Sequence, residues 1–334
     1  LKRVPELRFK EFNSDWKEKK LEEVLKIGSG KDYKHLKNGD IPVYGTGGYM
    51  LSVNNYLYDG ESVCIGRKGT IDKPILLNGK FWTVDTLFFT HSFKNTIPKY
   101  IYLIFQQINW QKYNEASGVP SLSKSTMEKI QIPLPSLQEQ TKIASFLSSV
   151  DKRIEQLTKK VQLLKKYKTG VMQKIFSQEI RFKNDNGSEF PDWEENKLGE
   201  VGKIIGGGTP ETSKPEYWNG DIPWLTPTEI KQKYISNSVR KITTLGLKKS
   251  SAKILKKGTL LFSSRATVGD VGIAELECST NQGFQSIEVN RFHYNEFVYY
   301  WIIQNRKEFL RKSSGSTFLE ISKSELSKIK ISLP

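Results

Sequence analysis

Two short stretches carry side chains suited to gripping a phosphate or a base edge. Arg67-Lys68-Gly69-Thr70 and Ser264-Arg265-Ala266-Thr267 each follow an apolar, strand-like run and set cations beside hydroxyls, the mix used on guanine edges and phosphates. Asn281 and Gln282 add amides that can pair bidentately with adenine. Thr46 and Tyr49 follow Ile41-Pro42, and Thr226 and Thr228 occupy matching places after Ile222-Pro223. Ser117 and Ser121, and in the other half Ser314, Ser316 and Thr317, stand in polar loops. An arginine common to both halves serves a base, a phosphate or the fold, and the loop hydroxyls are either contacts or ordinary loop residues.

Covalent chemistry finds little to work with. No Gly-x-x-x-x-Gly-Lys-Ser/Thr loop, His-Glu-x-x-His pair, Cys-x-x-Cys or Gly-x-Ser-x-Gly elbow occurs. Gly206-Gly207-Gly208 lacks the spacing of a phosphate cradle and leads into Thr209-Pro210, which predicts a flexible loop. His35, His91 and His293 are scattered without metal-ligand spacing. Asp40 and Asp221 recur, but inside a turn signature where an Asp side chain commonly bonds backbone N–H groups. The Asn/Asp-Pro-Pro-Tyr/Phe signature of adenine methyltransferases is absent. The expectation is a chain with no catalytic residues of its own that binds neither metal nor cofactor.

The elements that position these residues come in two copies. Asp15-Trp16 through Val24 returns as Asp192-Trp193 through Val201, and Asn38-Gly39-Asp40-Ile41-Pro42 returns unchanged at Asn219 to Pro223. Further on, Arg67 parallels Arg265 with one residue dropped before the threonine, Ser117-Gly118 parallels Ser314-Gly315, and Ser123-Lys124-Ser125 parallels Ser322-Lys323-Ser324. Each copy reads as a charged amphipathic segment (16–27; 193–205), a Gly-rich loop, an Asn-Gly turn, short strands (62–65, 81–90; 259–263, 284–289) and a closing helix. That helix is marked by Ile101, Ile104, Phe105 and Ile108, and in the second copy by Phe297, Val298, Trp301, Ile302 and Phe309. The predicted fold class is α+β: two similar mixed α/β domains, 1–135 and 179–334, joined by a spacer helix at 136–178.

The joining segment is the most regular in the chain. Ile143, Leu147, Val150, Ile154, Leu157, Val161, Leu164, Val171 and Ile175 alternate steps of four and three, with Lys168 filling one slot. Such a 3.5-residue period predicts a long helix whose apolar seam pairs with a partner helix. At 1.5 Å per residue it would measure on the order of 60 Å, more than one DNA turn of about 34 Å. Its off-seam lysines, Lys159, Lys160, Lys165, Lys166 and Lys174 among them, suit a solvated face or a DNA track.

With 52 Lys and Arg against 36 Asp and Glu, the net charge is +16 over 334 residues, which favours a polyanionic partner, nucleic acid first. Only two cysteines occur, Cys64 and Cys278, so a disulfide scaffold is excluded and a reducing compartment fits. No leader-like apolar region opens the sequence and no apolar run reaches spanning length, so a cytoplasmic protein without membrane contact is expected.

In the order and spacing of its motifs the chain resembles the specificity subunit of Type I restriction-modification enzymes. The resemblance rests on a duplicated module closing on Ile132-Pro-Leu-Pro-Ser-Leu-Gln-Glu-Gln-Thr-Lys-Ile143, the long helix, and a second module opening at Asp192-Trp193. It implies two target-recognition domains that each read one half of a split, asymmetric site on double-stranded DNA, with the helix as ruler and docking element. It further implies two partner types: modification subunits that bind S-adenosylmethionine and methylate adenine, and restriction subunits that use ATP and Mg to translocate and cut DNA. That family normally carries a second long helix after the second module; none follows Pro334 in this sequence. Two other readings remain: a non-catalytic coiled-coil scaffold that reads no DNA, and a self-sufficient DNA methyltransferase or nuclease.

Overall fold

A computed structural model describes residues 5–315 and 319–334. The chain divides into two compact units, with the boundary between Lys160 and Val161.

In the first unit, the strand Lys17–Lys20 pairs antiparallel with the last strand, Gln131–Leu134, so that Lys17 faces Leu134. A single helical turn, Leu21–Val24, follows at once. Glu23 closes that turn by accepting from the Lys20 backbone N–H at 2.7 Å, and Leu21 and Val24 enter the core. The expected amphipathic segment is therefore strand, turn and strand. Its alternation of charged and apolar residues comes from switching backbone conformation every four residues, not from one periodic element. Residues 194–206 of the second unit repeat the arrangement, and Glu194–Lys197 pairs with Lys330–Leu333.

The main sheet of the first unit runs in the order 26–29, 87–91, 62–66, 75–77. Ser62–Gly66 is buried along its whole length, as a strand covered on both faces must be. Helix Pro98–Gln107 begins with Pro at a position whose N–H no helix uses and lays Tyr100, Ile101 and Phe105 into the core with Trp110. The second unit builds the same sheet from 202–206, 285–289, 260–262 and 271–274, and adds a parallel edge strand, Tyr234–Ile235.

A smaller sheet stands beside each main one. Asn38–Gly45 pairs antiparallel with Gly48–Val53 and parallel with Lys80–Thr83, as Trp218–Leu225 does with Arg240–Ile242 and Ser279–Thr280. The repeated Asn-Gly-Asp lies inside the first strand of each smaller sheet and not in a turn before it. Both Asn38 and Ile41 face Val53, and both Trp218 and Ile222 face Ile242, which is a β-bulge. A Cβ at Gly39 would stand 2.5 Å from the Val53 carbonyl oxygen, so the bulge brings backbone against backbone where only glycine fits. Gly206-Gly207-Gly208 is likewise no flexible loop: a Cβ at Gly207 would meet the Asn281 carbonyl oxygen at 1.9 Å.

The long helix spans Leu137–Phe176, 40 residues, about 60 Å at the standard rise. Its start is fixed by two fully buried polar side chains. Glu139 accepts from Arg8 Nε and Nη2, each at 2.7 Å, and from Trp16 Nε1 at 3.0 Å; Gln140 accepts from Thr96 and donates to the Asn95 and Pro135 carbonyls. Its last residue, Phe176, packs edge-on against Trp193 and Phe297. Of the seam, Ile143 packs on the core of the first unit, Val171 and Ile175 are half-buried, and Leu147, Val150, Ile154, Leu157, Val161 and Leu164 are exposed. Lys168 interrupts the heptad to set its ammonium 5.0 Å from the Tyr300 ring. No helix among the described residues is long and apolar enough to cross a membrane.

Candidate nucleic-acid interface

Three chain segments meet at the end of each central buried strand. In the first unit, the Arg67 N–H donates to the Thr86 carbonyl at 2.7 Å, Gly69 N–H to Pro120 at 2.8 Å, and Leu122 N–H to Arg67 at 2.9 Å. An isolated β-bridge joins Lys68 to Ser121. Together they wall an open depression of about 520 Å³ lined by Arg67, Lys68, Asp85, Glu115, Ser121 and Lys124 among others. Arg67 places its guanidinium 5.9 Å from the Phe88 ring. Glu115 accepts from Ser123 Oγ at 2.6 Å and from Thr126 Oγ1, and the hydroxyls of Ser123 and then Thr126 hold its carboxyl below the ordinary glutamate range.

The second unit repeats this frame bond for bond. Ser264 N–H donates to Gly283 at 2.8 Å, Ala266 N–H to Leu319 at 3.1 Å, and Ile321 N–H to Ser264 at 2.9 Å. Arg265 bridges to Glu320, with its Nε 3.9 Å from a Glu320 carboxylate oxygen. These bonds set the equivalences: Arg67 matches Ser264, Lys68 matches Arg265, and Gly69 matches Ala266, both at positive φ (91° and 62°). The parallel of Arg67 with Arg265 is thus one residue out, because the length difference lies earlier, at the Gly60 and Gly258 turns. Likewise Glu115 N–H donates to Ser121 as Ser314 N–H does to Glu320, so Ser314 matches Glu115 and not Ser117.

The sequence-derived candidates distribute unevenly over this frame. Thr46 borders the first turn, its Oγ1 3.9 Å from where a Gly69 Cβ would be. Arg67, Lys68 and Ser121 line the depression, Thr70 is half-buried beside them, and Ser117 is exposed on the adjoining loop. Tyr49 is exposed on a neighbouring hairpin, its hydroxyl 3.2 Å from Ser52 Oγ. In the second unit Arg265, Gln282 and Ser314 are exposed. Ser264 is buried and bonded to the Gly283 carbonyl, Thr267 bonds Ser263, and Asn281 accepts from the Gly283 N–H; these three serve the turn. Thr226 and Thr228 form a cap in which Glu229 accepts from the Thr226 N–H and hydroxyl. Ser316 and Thr317 lie outside the described residues.

Sequence reading passed over Asp85, Glu115 and Glu320, which the structure puts on the same rims, and Thr209, which bonds Gln282. Acidic residues are poor signals for a polyanion site, and only the fold brings these loops together. Cys64 and Cys278 are free and buried, and burial pushes each thiol up to about 12.

Fold and rims define a class: a duplicated α+β module with a polar, open, cation-bearing depression in the first unit and the same backbone frame, carrying Arg265, in the second. The family pattern described as "Type I restriction modification DNA specificity domain" matches residues 13–166 and again 191–334. The chain belongs to this family. It is 39% identical over 165 residues to the type I restriction enzyme MjaIX specificity subunit of Methanocaldococcus jannaschii, covering 48% of this chain and 38% of that one. It is 32% identical over 255 residues to the putative MjaX specificity subunit of the same organism, covering 72% and 59%. The chain thus spans less than two thirds of the length of these curated relatives. Among solved structures, the type I restriction-modification S subunit from M. genitalium shares the fold at a TM-score of 0.62 and 17% identity, over 99% of this chain and 87% of that one.

Proposed function

We propose that this chain is the DNA-reading component of a Type I restriction-modification assembly, each module reading one half of a split site. The observation that carries the reading is the double match to a DNA specificity domain on a chain of net charge +16. A frame repeated bond for bond with different polar side chains on its rims suits two readers of two different half-sites. Charge supplies attraction to the phosphates and the rims supply edge chemistry. The helix Leu137–Phe176 sets the spacing, and its exposed seam docks a partner helix.

In this proposal the chain performs no catalysis. Modification subunits bring S-adenosylmethionine and methylate adenine, and restriction subunits bring ATP, Mg and DNA cleavage. The setting is the cytoplasm, where two free thiols persist. The test is fluorescence titration of the purified chain, alone and with a modification subunit, against duplexes of varied sequence. The expected result is one preferred bipartite sequence; equal affinity for all duplexes in the assembled complex defeats the reading.

A further inference from the structure

We infer that base identity is read at three frame-equivalent positions: Lys68, Asp85 and Ser121 in the first module, and Arg265, Gln282 and Glu320 in the second. The inference rests on the proposed function and deepens it. The equivalences follow from backbone bonds. Thr86 and Gly283 accept from Arg67 and Ser264, which places the preceding residues, Asp85 and Gln282, at one point of the frame. The bridges Lys68 to Ser121 and Arg265 to Glu320 place the other two pairs.

Around these points several positions agree, although exposed Arg67 stands against buried Ser264 and Glu115 against Ser314. Thr83 and Thr280 hold the same strand position, Ser123 and Ser322 cap the next helix, and Leu122 and Ile321 are buried. At the three positions the modules part, from lysine to arginine, from carboxylate to amide, and from hydroxyl to carboxylate. Lys68, Asp85, Arg265, Gln282 and Glu320 are exposed and Ser121 half-buried, so packing does not explain the divergence. In the second module Arg265 stands beside Glu320 and Gln282 accepts from Thr209, contacts that hold these side chains on the rim. Each type suits a base edge: Arg or Lys guanine, Gln adenine, Asp or Glu the cytosine amino group, and Ser as acceptor or donor.

A graft tests this. The full chain, alone and with a modification subunit, selects duplexes from a randomised pool as wild type, as R265K/Q282D/E320S, and as the reciprocal K68R/D85Q/S121E. Each graft is expected to change base preference roughly tenfold or more at one or more positions of one half-site, leaving the other half-site as an internal check on folding. An unchanged selected motif, with or without a uniform fall in affinity, overturns the inference by placing these side chains on phosphates or in solvent. A wild type that selects no motif overturns the proposed function instead, so the two failures are distinct.

Discussion

Glu115 shows how little of a polar rim is written in its own residue type. It is exposed, yet its carboxylate organises the loop through Ser123 and Thr126. Because these hydroxyls lower its proton affinity in the folded state, its contribution is full above the ordinary glutamate value of about 4.3 and is lost as pH falls through the lower, folded value. Thermal melting from pH 6 down to pH 3 should therefore decline more steeply for the wild type than for Glu115→Gln. Gly207 carries the opposite lesson: composition reads it as slack, and close approach to the Asn281 carbonyl makes it a tight joint. Gly207→Ala is expected to cost roughly 1–3 kcal/mol by overpacking, read as a lower denaturant midpoint. Repeated Asn-Gly looked like turn chemistry for a similar reason, since glycine at a bulge and glycine in a turn share one local signature.

Among elements, periodic ones were the most legible. Leu137–Phe176 was visible through nine seam residues, and the closing helices through Ile101 and Phe105 or Val298 and Ile302. Four-residue strands and single turns were not, because 17–29 changes conformation faster than any period can establish itself. One repeat is too short to stand out in the sequence: Leu7-Arg8-Phe9-Lys10 returns as Ile180-Arg181-Phe182-Lys183, and Arg8 and Arg181 each donate at 2.6 Å to matching carbonyls, Ser14 and Pro191. Exposure of Ile154, Leu157 and Val161 gives the seam a measurable consequence. Replacing all three with Gln is expected to leave helical circular dichroism near its wild-type value while weakening association, read as a lower sedimentation coefficient at equal concentration with partner subunits present.

For the whole molecule, duplication and charge were plain in the sequence, and the register between the copies was not. Matching Arg67 to Arg265 was the natural choice in one dimension, and only the backbone bonds of Thr86, Gly283, Pro120 and Leu319 set Lys68 against Arg265. The charge of +16 carries its own prediction through counterion release. With about 6–10 phosphates contacted, affinity should fall roughly 10³–10⁵-fold between 50 and 200 mM salt. A flat dependence in the titration would mean that the cations do not face DNA.

The pairing of each module's opening strand with its final one, Lys17 to Leu134 and Glu194 to Leu333, zips the ends of the module together. A block fastened at its own base can be exchanged whole when its replacement keeps the residues that seat the adjoining helix, as Arg8, Trp16 and Thr96 do for Glu139 and Gln140. New preferences can then arise by exchanging a whole cassette in one genetic event, not only by changing one contact at a time.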